Sequence, residues 1–159
     1  VLIISGDGNC NHCLLEIENN NLYPILKYFF EKKSIIGICS GMQILFEETH
    51  EDGAKKGLGF FKGKIQKIKE KEIKLPNVGW RNIKKFKEDF LNIHDKNFYF
   101  MHSYCVKDFD KNECIYYSNY FNEQIPSIFK KNNSYAFQFH PEKSGLNGIE
   151  LLKTVLENY

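Results

Sequence analysis

The sequence predicts an α/β fold, a mostly parallel sheet flanked by helices with an additional antiparallel strand region. Three observations carry this. Short β-branched runs, Val1 to Ile4 and Ser34 to Ile38, alternate with stretches of helical period, the signature of a parallel sheet covered by helices. After Asp52-Gly53 the character changes, and aromatic strand-like runs follow one another with no helix between them. The length, 159 residues, suits one domain with a real core.

Val1 to Ile4 reads as a buried strand that ends in the loop Ser5-Gly6-Asp7-Gly8-Asn9. Asn11 to about Glu18 is helical. Asn21 is placed to cap a second helix, with Pro24 in its first turn and Ile25, Leu26, Phe29 and Phe30 on its buried side. Ser34 to Ile38 is the next strand, and an amphipathic helix is expected from Gly41 through Met42, Ile44, Leu45 and Phe46. Gly57 to Lys69 alternates as a strand, with Phe61, Ile65 and Ile68 inward. Pro76 to Trp80 reads as a turn before a short strand near Ile83. Asn97 to Val106 and Cys114 to Phe121 are aromatic strands. Ile125 to Phe129 and Ser134 to Phe139 follow, joined by a hairpin turn at Asn132-Asn133. The last helix, from near Asn147, is expected to bury Ile149, Leu152, Val155 and Leu156.

A net charge of +2 from balanced Lys and Asp/Glu points to neither nucleic acid nor an anionic membrane as partner. No apolar run reaches membrane-spanning length, and no signal-peptide pattern is present. Five cysteines without a disulfide-framework spacing fit a reducing, cytoplasmic setting. Cys10-Asn11-His12-Cys13 is a C-x-x-C, but a zinc site would need a second ligand pair and none follows, so the two read as cysteines at a helix start and no metal is expected.

Two stretches carry chemistry. Gly37-Ile38-Cys39-Ser40-Gly41 is a G-x-C-x-G strand-to-helix bend, the sulfur counterpart of a serine nucleophile elbow. A helix start there would favour the nucleophilic thiolate, although a buried, inert cysteine in a glycine-bearing turn fits the same residues. In Gln138-Phe139-His140-Pro141-Glu142 a strand delivers His140, and residues two apart in extended chain face one way. Glu142 could therefore fix the tautomer of His140 and stabilise its imidazolium. A half-buried strand-end histidine beside a capping glutamate is the plainer alternative.

Taken together, Gly-Ile-Cys-Ser-Gly-Met-Gln and Gln-Phe-His-Pro-Glu-Lys-Ser resemble the Cys-His-Glu, triad-type glutamine amidotransferases. With Gly57-Leu58-Gly59, Pro76-Asn77-Val78-Gly79-Trp80 and Phe98-Tyr99-Phe100-Met101-His102-Ser103-Tyr104, the chain is similar within them to the glutaminase subunits of imidazole glycerol phosphate synthase. The resemblance implies a flavodoxin-like sheet and a single amidotransferase domain over 1–159. It also implies a chain truncated at its N-terminus, since the family's first strand-helix-strand unit has no counterpart before Val1.

It further implies a cofactor-free glutaminase in which Cys39 attacks the side-chain amide of L-glutamine, His140 moves the protons and Glu142 orients His140. Backbone N–H groups of Ser40 and of the Gly6-Asp7-Gly8 turn would hold the oxyanion. Gln43, Glu51 and the segment His102-Ser103-Tyr104 would bind glutamine, with Glu51 on its α-ammonium. Tyr99, Trp80 and Lys143 fall where the family meets its synthase, although a core position would also suit Trp80. The ammonia would pass to a (β/α)₈ cyclase, a heterodimer partner that forms imidazole glycerol phosphate and AICAR in histidine biosynthesis. Ser40, Ser5, Asp7, Asn77 and Arg81 depart from the family's pattern. Alternatives are a glutaminase feeding a surface-sugar amidotransferase and a catalytically weak binding subunit.

Overall fold

The first strand, β1 (Leu2–Gly6), leads through α1 (Cys10–Asn19) and α2 (Tyr23–Lys32) into β2 (Ile35–Cys39). A computed structural model describes residues 1–6, 8–69 and 74–158. β1 and β2 pair in parallel from Leu2↔Ile35 to Gly6↔Cys39, which sets the end of the first strand beside Cys39. Asn9 caps α1, its side-chain oxygen accepting from the N–H groups of Asn11 and His12 at 2.8 and 3.2 Å.

Asn21 does not cap α2. It stands at φ 49° just past α1, where the amides of Asn20, Asn21 and Leu22 close on the last carbonyls of that helix, and Leu22 takes the cap position. On α2 the buried pair is Leu26 and Phe30, one turn apart, whereas Ile25 is 53% exposed.

After β2 the elbow helix, α3, runs only from Ser40 to Gln43. The expected amphipathic helix stops because its next carbonyls are taken elsewhere: Ile44 and Leu45 accept from Leu58 and Phe60 (2.9 and 2.8 Å), and Phe46 from Gly59. Ile44, Leu45 and Phe46 are all buried. The 57–61 segment, expected as strand, is this clasp, and the chain is extended only at β3 (Glu48–Thr49), β4 (Lys55–Lys56) and β5 (Lys64–Lys67).

The Pro76–Trp80 turn is also absent. Asn77 begins a nine-residue strand, β6 (Asn77–Lys85). The expected strand from Asn97 to Val106 breaks at Ser103 into β7 (Asn97–His102) and β8 (Tyr104–Lys107), which join different sheets. β9 (Cys114–Tyr120), β10 (Glu123–Lys131) and β11 (Ser134–Phe137) complete the strands, with the hairpin at Asn132-Asn133 where it was expected.

Among the described residues the order is β1-β2-β11-β10-β9-β6-β7 in the main sheet and β4-β3-β5-β8 in the smaller one. β11 joins the halves: it is antiparallel to β10 and parallel to β2, with Phe137 opposite Ile38. The α/β class with an antiparallel region stands, the parallel part of the main sheet being β1-β2-β11.

Alternation along β2 sends Ile35 into one core and Ile36 and Ile38 into the other. Each buried Phe or Ile in these cores contributes roughly 1.5–3 kcal/mol by leaving water. The closing helix, α4 (Gly145–Glu157), buries Gly148, Leu151 and Val155, while Ile149 is 63% exposed. Its inner face is set by Gly148, where a Cβ would overlap the carbonyl of Pro141, so the helix seats directly behind the turn after His140.

Candidate active site

Cys39 itself bends the elbow, at φ 53° and ψ −113°. Such a backbone costs an L-residue of order 1–3 kcal/mol and persists only where its surroundings over-determine it. The two glycines of the motif serve close packing. Neither is at positive φ; both give room. A Cβ on Gly41 would overlap the Ile4 carbonyl, and one on Gly37 would lie 2.7–2.8 Å from Leu45, Gly41 and Met42. The Cys39 thiol donates to the Met101 carbonyl at 3.6 Å.

β11 runs alongside β2, so the chain leaves the sheet at its carboxyl edge carrying His140 next to the end of the nucleophile strand. His140 is fully buried. Its N–H donates to the Tyr99 carbonyl at 2.9 Å and its own carbonyl accepts from the Ser144 hydroxyl at 2.5 Å. Glu142 Oε1 lies 2.7 Å from His140 Nδ1. The two meet through a 3₁₀ turn, Pro141–Lys143, and not through strand alternation. A carboxylate accepts only, so Nδ1 carries the proton and Nε2 is the ring nitrogen able to accept one.

A cleft of about 270 Å³ gathers Cys39, Ser40, Gln43, Glu51, Gly8 and the 101–104 backbone, a size suited to a small polar molecule. His102, Ser103 and Tyr104 also line it. Gly6 ends its strand opposite Cys39, and Ser40 Oγ packs against it. Asp7 lies outside the described residues.

Gln43 is buried, and its amide is already engaged. Nε2 donates to the Tyr104 carbonyl (3.0 Å) and to Gln138 Oε1 (3.3 Å), and Oε1 accepts from the Cys10 thiol (3.1 Å). What Gln43 has left for a ligand is the second lone pair of Oε1. Glu51 Oε2 accepts the Cys10 N–H at 2.7 Å at the start of α1. His102 is pushed down to about 4 by burial, so its ring is neutral at physiological pH. Nδ1–H donates to the Tyr104 carbonyl at 2.8 Å, and Nε2 accepts from Asn77 Nδ2 at 3.0 Å. Asn77 Oδ1 accepts from Arg81 Nε at 3.0 Å. The departures Asn77 and Arg81 thus support His102 in its place.

Trp80 is 51% exposed and meets Tyr99 edge-on, with ring centroids 6.0 Å apart; it is not a core residue. Lys143 is exposed on the turn after His140, so all three residues share the surface over that turn. Sequence reasoning overlooked Cys10 and Met101 as parts of the site. Cys10 was visible only as half of a C-x-x-C, and Met101 takes part through its backbone. Among the described residues no group of His, Cys, Asp and Glu could hold a metal ion, the cysteines form no disulfide, and no helix is long and apolar enough to cross a membrane.

Comparison with known proteins decides what this arrangement belongs to. The family described as glutamine amidotransferase class-I matches residues 1–158. The chain belongs to the class-I glutamine amidotransferases. Among amidotransferases of this class it is 39% identical to the imidazole glycerol phosphate synthase subunit HisH of Methanocaldococcus jannaschii, covering 98% of this chain and 79% of that protein. It is 38% identical to the HisH subunit of Oceanobacillus iheyensis, over 96% and 77%. These similarities place it with the HisH subunits. A crystal structure of a glutamine amidotransferase superposes with a TM-score of 0.71 at 15% identity, over 98% of this chain and 77% of that one, and so shares the fold.

Proposed function

We propose that this amidotransferase hydrolyses L-glutamine through Cys39, His140 and Glu142 and hands the ammonia to a synthase partner. The observation that carries the assignment is the 2.7 Å contact of His140 with Glu142 at the strand end next to Cys39. His140 Nε2 takes the Cys39 proton, and the sulfur attacks the side-chain amide carbon. The oxyanion is held by the Ser40 N–H and by the turn that starts at Gly6; removing one such donor costs about 10²–10³ in rate. His140 returns the proton to the amide nitrogen, ammonia leaves and a thioester remains. A water, deprotonated by His140, then attacks the thioester, releasing glutamate and the thiolate, which takes back the proton. Glu142 keeps the ring oriented and balances the imidazolium in both halves.

The partner in this reading is a cyclase of (β/α)₈ form that uses ammonia to make imidazole glycerol phosphate and AICAR in histidine biosynthesis. It docks over Trp80, Tyr99 and Lys143. In favour of this stand the HisH relatives, each named a synthase subunit, and the exposed aromatic pair beside the His140 turn.

The test is made on the complex with the cyclase. Cys39→Ala abolishes synthesis from glutamine yet leaves synthesis from ammonium salts intact, because ammonia enters on the partner and needs no thioester. Full glutamine-dependent activity in Cys39→Ala would sink the assignment.

A further inference from the structure

Two of the groups assigned to glutamine, Gln43 and Glu51, come from different segments and meet at one residue that no motif marks. Cys10, the first residue of α1, is fully buried. Its N–H, one of the helix's unpaired first-turn donors, is taken by Glu51 Oε2 at 2.7 Å. Its thiol lies 3.1 Å from Gln43 Oε1 and 4.0 Å from the Ser40 carbonyl, so the single S–H proton goes to Gln43. The neighbouring residues reinforce the grip: Asn11 Nδ2 donates to the Glu51 carbonyl, and Asn9 Nδ2 to Asp52 Oδ2 at 2.6 Å.

We infer that Cys10 is a positioning residue for the α-ammonium group of the substrate. Its thiol sets the plane of the Gln43 amide and its N–H sets the Glu51 carboxylate, so that two acceptors face one cation. Resting on the glutaminase reading, this adds a determinant of glutamine affinity to it.

The orientation of Gln43 follows from what surrounds it. The Tyr104 carbonyl can only accept, so Nε2 faces that side and Oε1 faces Cys10. A thiol is a weak donor. It fixes the amide while leaving the second lone pair of Oε1 able to accept strongly from an ammonium. Burial and the Glu51 carboxylate push the Cys10 thiol far up, so it stays an S–H donor and is no competing nucleophile.

Cys10→Val keeps apolar volume and removes the donor; Cys10→Ser keeps a donor. Both are assayed in the complex, with glutamine and with glutaric acid monoamide, which is glutamine without its α-amino group. Losing one hydrogen bond predicts a glutamine KM raised about fivefold in Cys10→Val, with kcat within about twofold of the parent. Cys10→Ser returns the KM to within about twofold. The apparent affinity for the monoamide, as substrate or as competitive inhibitor, is unchanged in either variant. An unaltered glutamine KM in Cys10→Val, or an equal loss for both compounds, overturns the inference and leaves Cys10 a packing residue. Ammonium-dependent synthesis reports that the variants are folded and docked; should Cys10→Val fail there, Cys10→Ala takes its place under the same criteria. A parent complex with no glutamine turnover would defeat the glutaminase reading instead.

Discussion

His140 and His102 are both buried imidazoles, one just past β11 and one ending β7, and their surroundings prepare them for opposite work. His140 has an anion on Nδ1, Glu142 at 2.7 Å, which stabilises a charge gained in a reaction. His102 has neutral partners on both nitrogens, the Tyr104 carbonyl and the Asn77 amide, and neither carries a charge to offset a positive ring. Burial is common to both. The partner decides which one can carry a proton between groups and which one can only hold a strand end in place.

The comparison breaks first at His140. Removing a positioned general acid–base costs about 10²–10⁴ in rate, and here the same ring serves both halves of the reaction. His140→Ala should therefore lower glutamine turnover in the complex by about 10³ or more and leave ammonium-dependent synthesis unaltered. His102→Gln should leave most of the turnover, because His102 meets the cleft as a fixed wall. A loss in His102→Gln as large as that in His140→Ala would mean the two roles had been exchanged.

The next effect belongs to His102 and is one of stability. Its value in the folded chain, about 4, lies below the ordinary 6.5. As pH falls below 6.5 the unfolded chain takes up the proton first and the folded one resists until about 4. The contribution of His102 to stability is thus complete above pH 6.5, is lost on descending toward 4, and flattens below. The difference corresponds to about 3 kcal/mol. In His102→Gln the urea midpoint should fall less between pH 7 and pH 4.5 than in the parent chain. Parallel curves for the two proteins would show that His102 is not held neutral.

These contrasts mark where the sequence stops being readable. The G-x-C-x-G bend and the His-Pro-Glu turn are local, so Cys39, His140 and Glu142 stand out in the chain itself. His102 does not, because its partners arrive by register: Asn77 is opposite it only because β6 and β7 pair there. The inward face of α4 was misjudged for a related reason. Gly148 has no side chain to register in a hydrophobic pattern, yet its lack of one lets the helix close on Pro141. α3 was drawn too long because the 57–61 segment, distant in sequence, claims the carbonyls that would have extended it. The strands at 1–4, 34–38 and 125–129 and the helix from Asn11 are legible because their patterns act within a few residues.

Glu142 tests the charge on the His140 side directly. Glu142→Gln retains an oxygen that can accept from Nδ1–H and removes the negative charge. A charge-assisted hydrogen bond reduced to a neutral one loses about 2 kcal/mol, or about 30-fold in kcat. KM for glutamine should stay put, since Glu142 is not among the residues that line the cleft. An effect confined to KM would place Glu142 with the substrate.

The smallest effect is expected at the outer end of the His102 chain. Arg81 Nε donates to Asn77 Oδ1, which turns the amide so that Nδ2 faces His102 Nε2 and leaves the proton of His102 on Nδ1. The guanidinium also opposes charge on His102. Arg81→Met removes both influences. The Asn77 amide becomes free to offer its oxygen instead, an arrangement that satisfies a doubly protonated ring. The His102 titration, followed by the ring proton resonance in NMR, should therefore move upward from about 4. The acid-side stability loss should shrink in step, since both readouts follow the same proton. An unmoved resonance would assign the neutrality of His102 to burial and the nearby His140, with Arg81 serving the Trp80 and Val78 carbonyls and the Tyr120 ring it also meets.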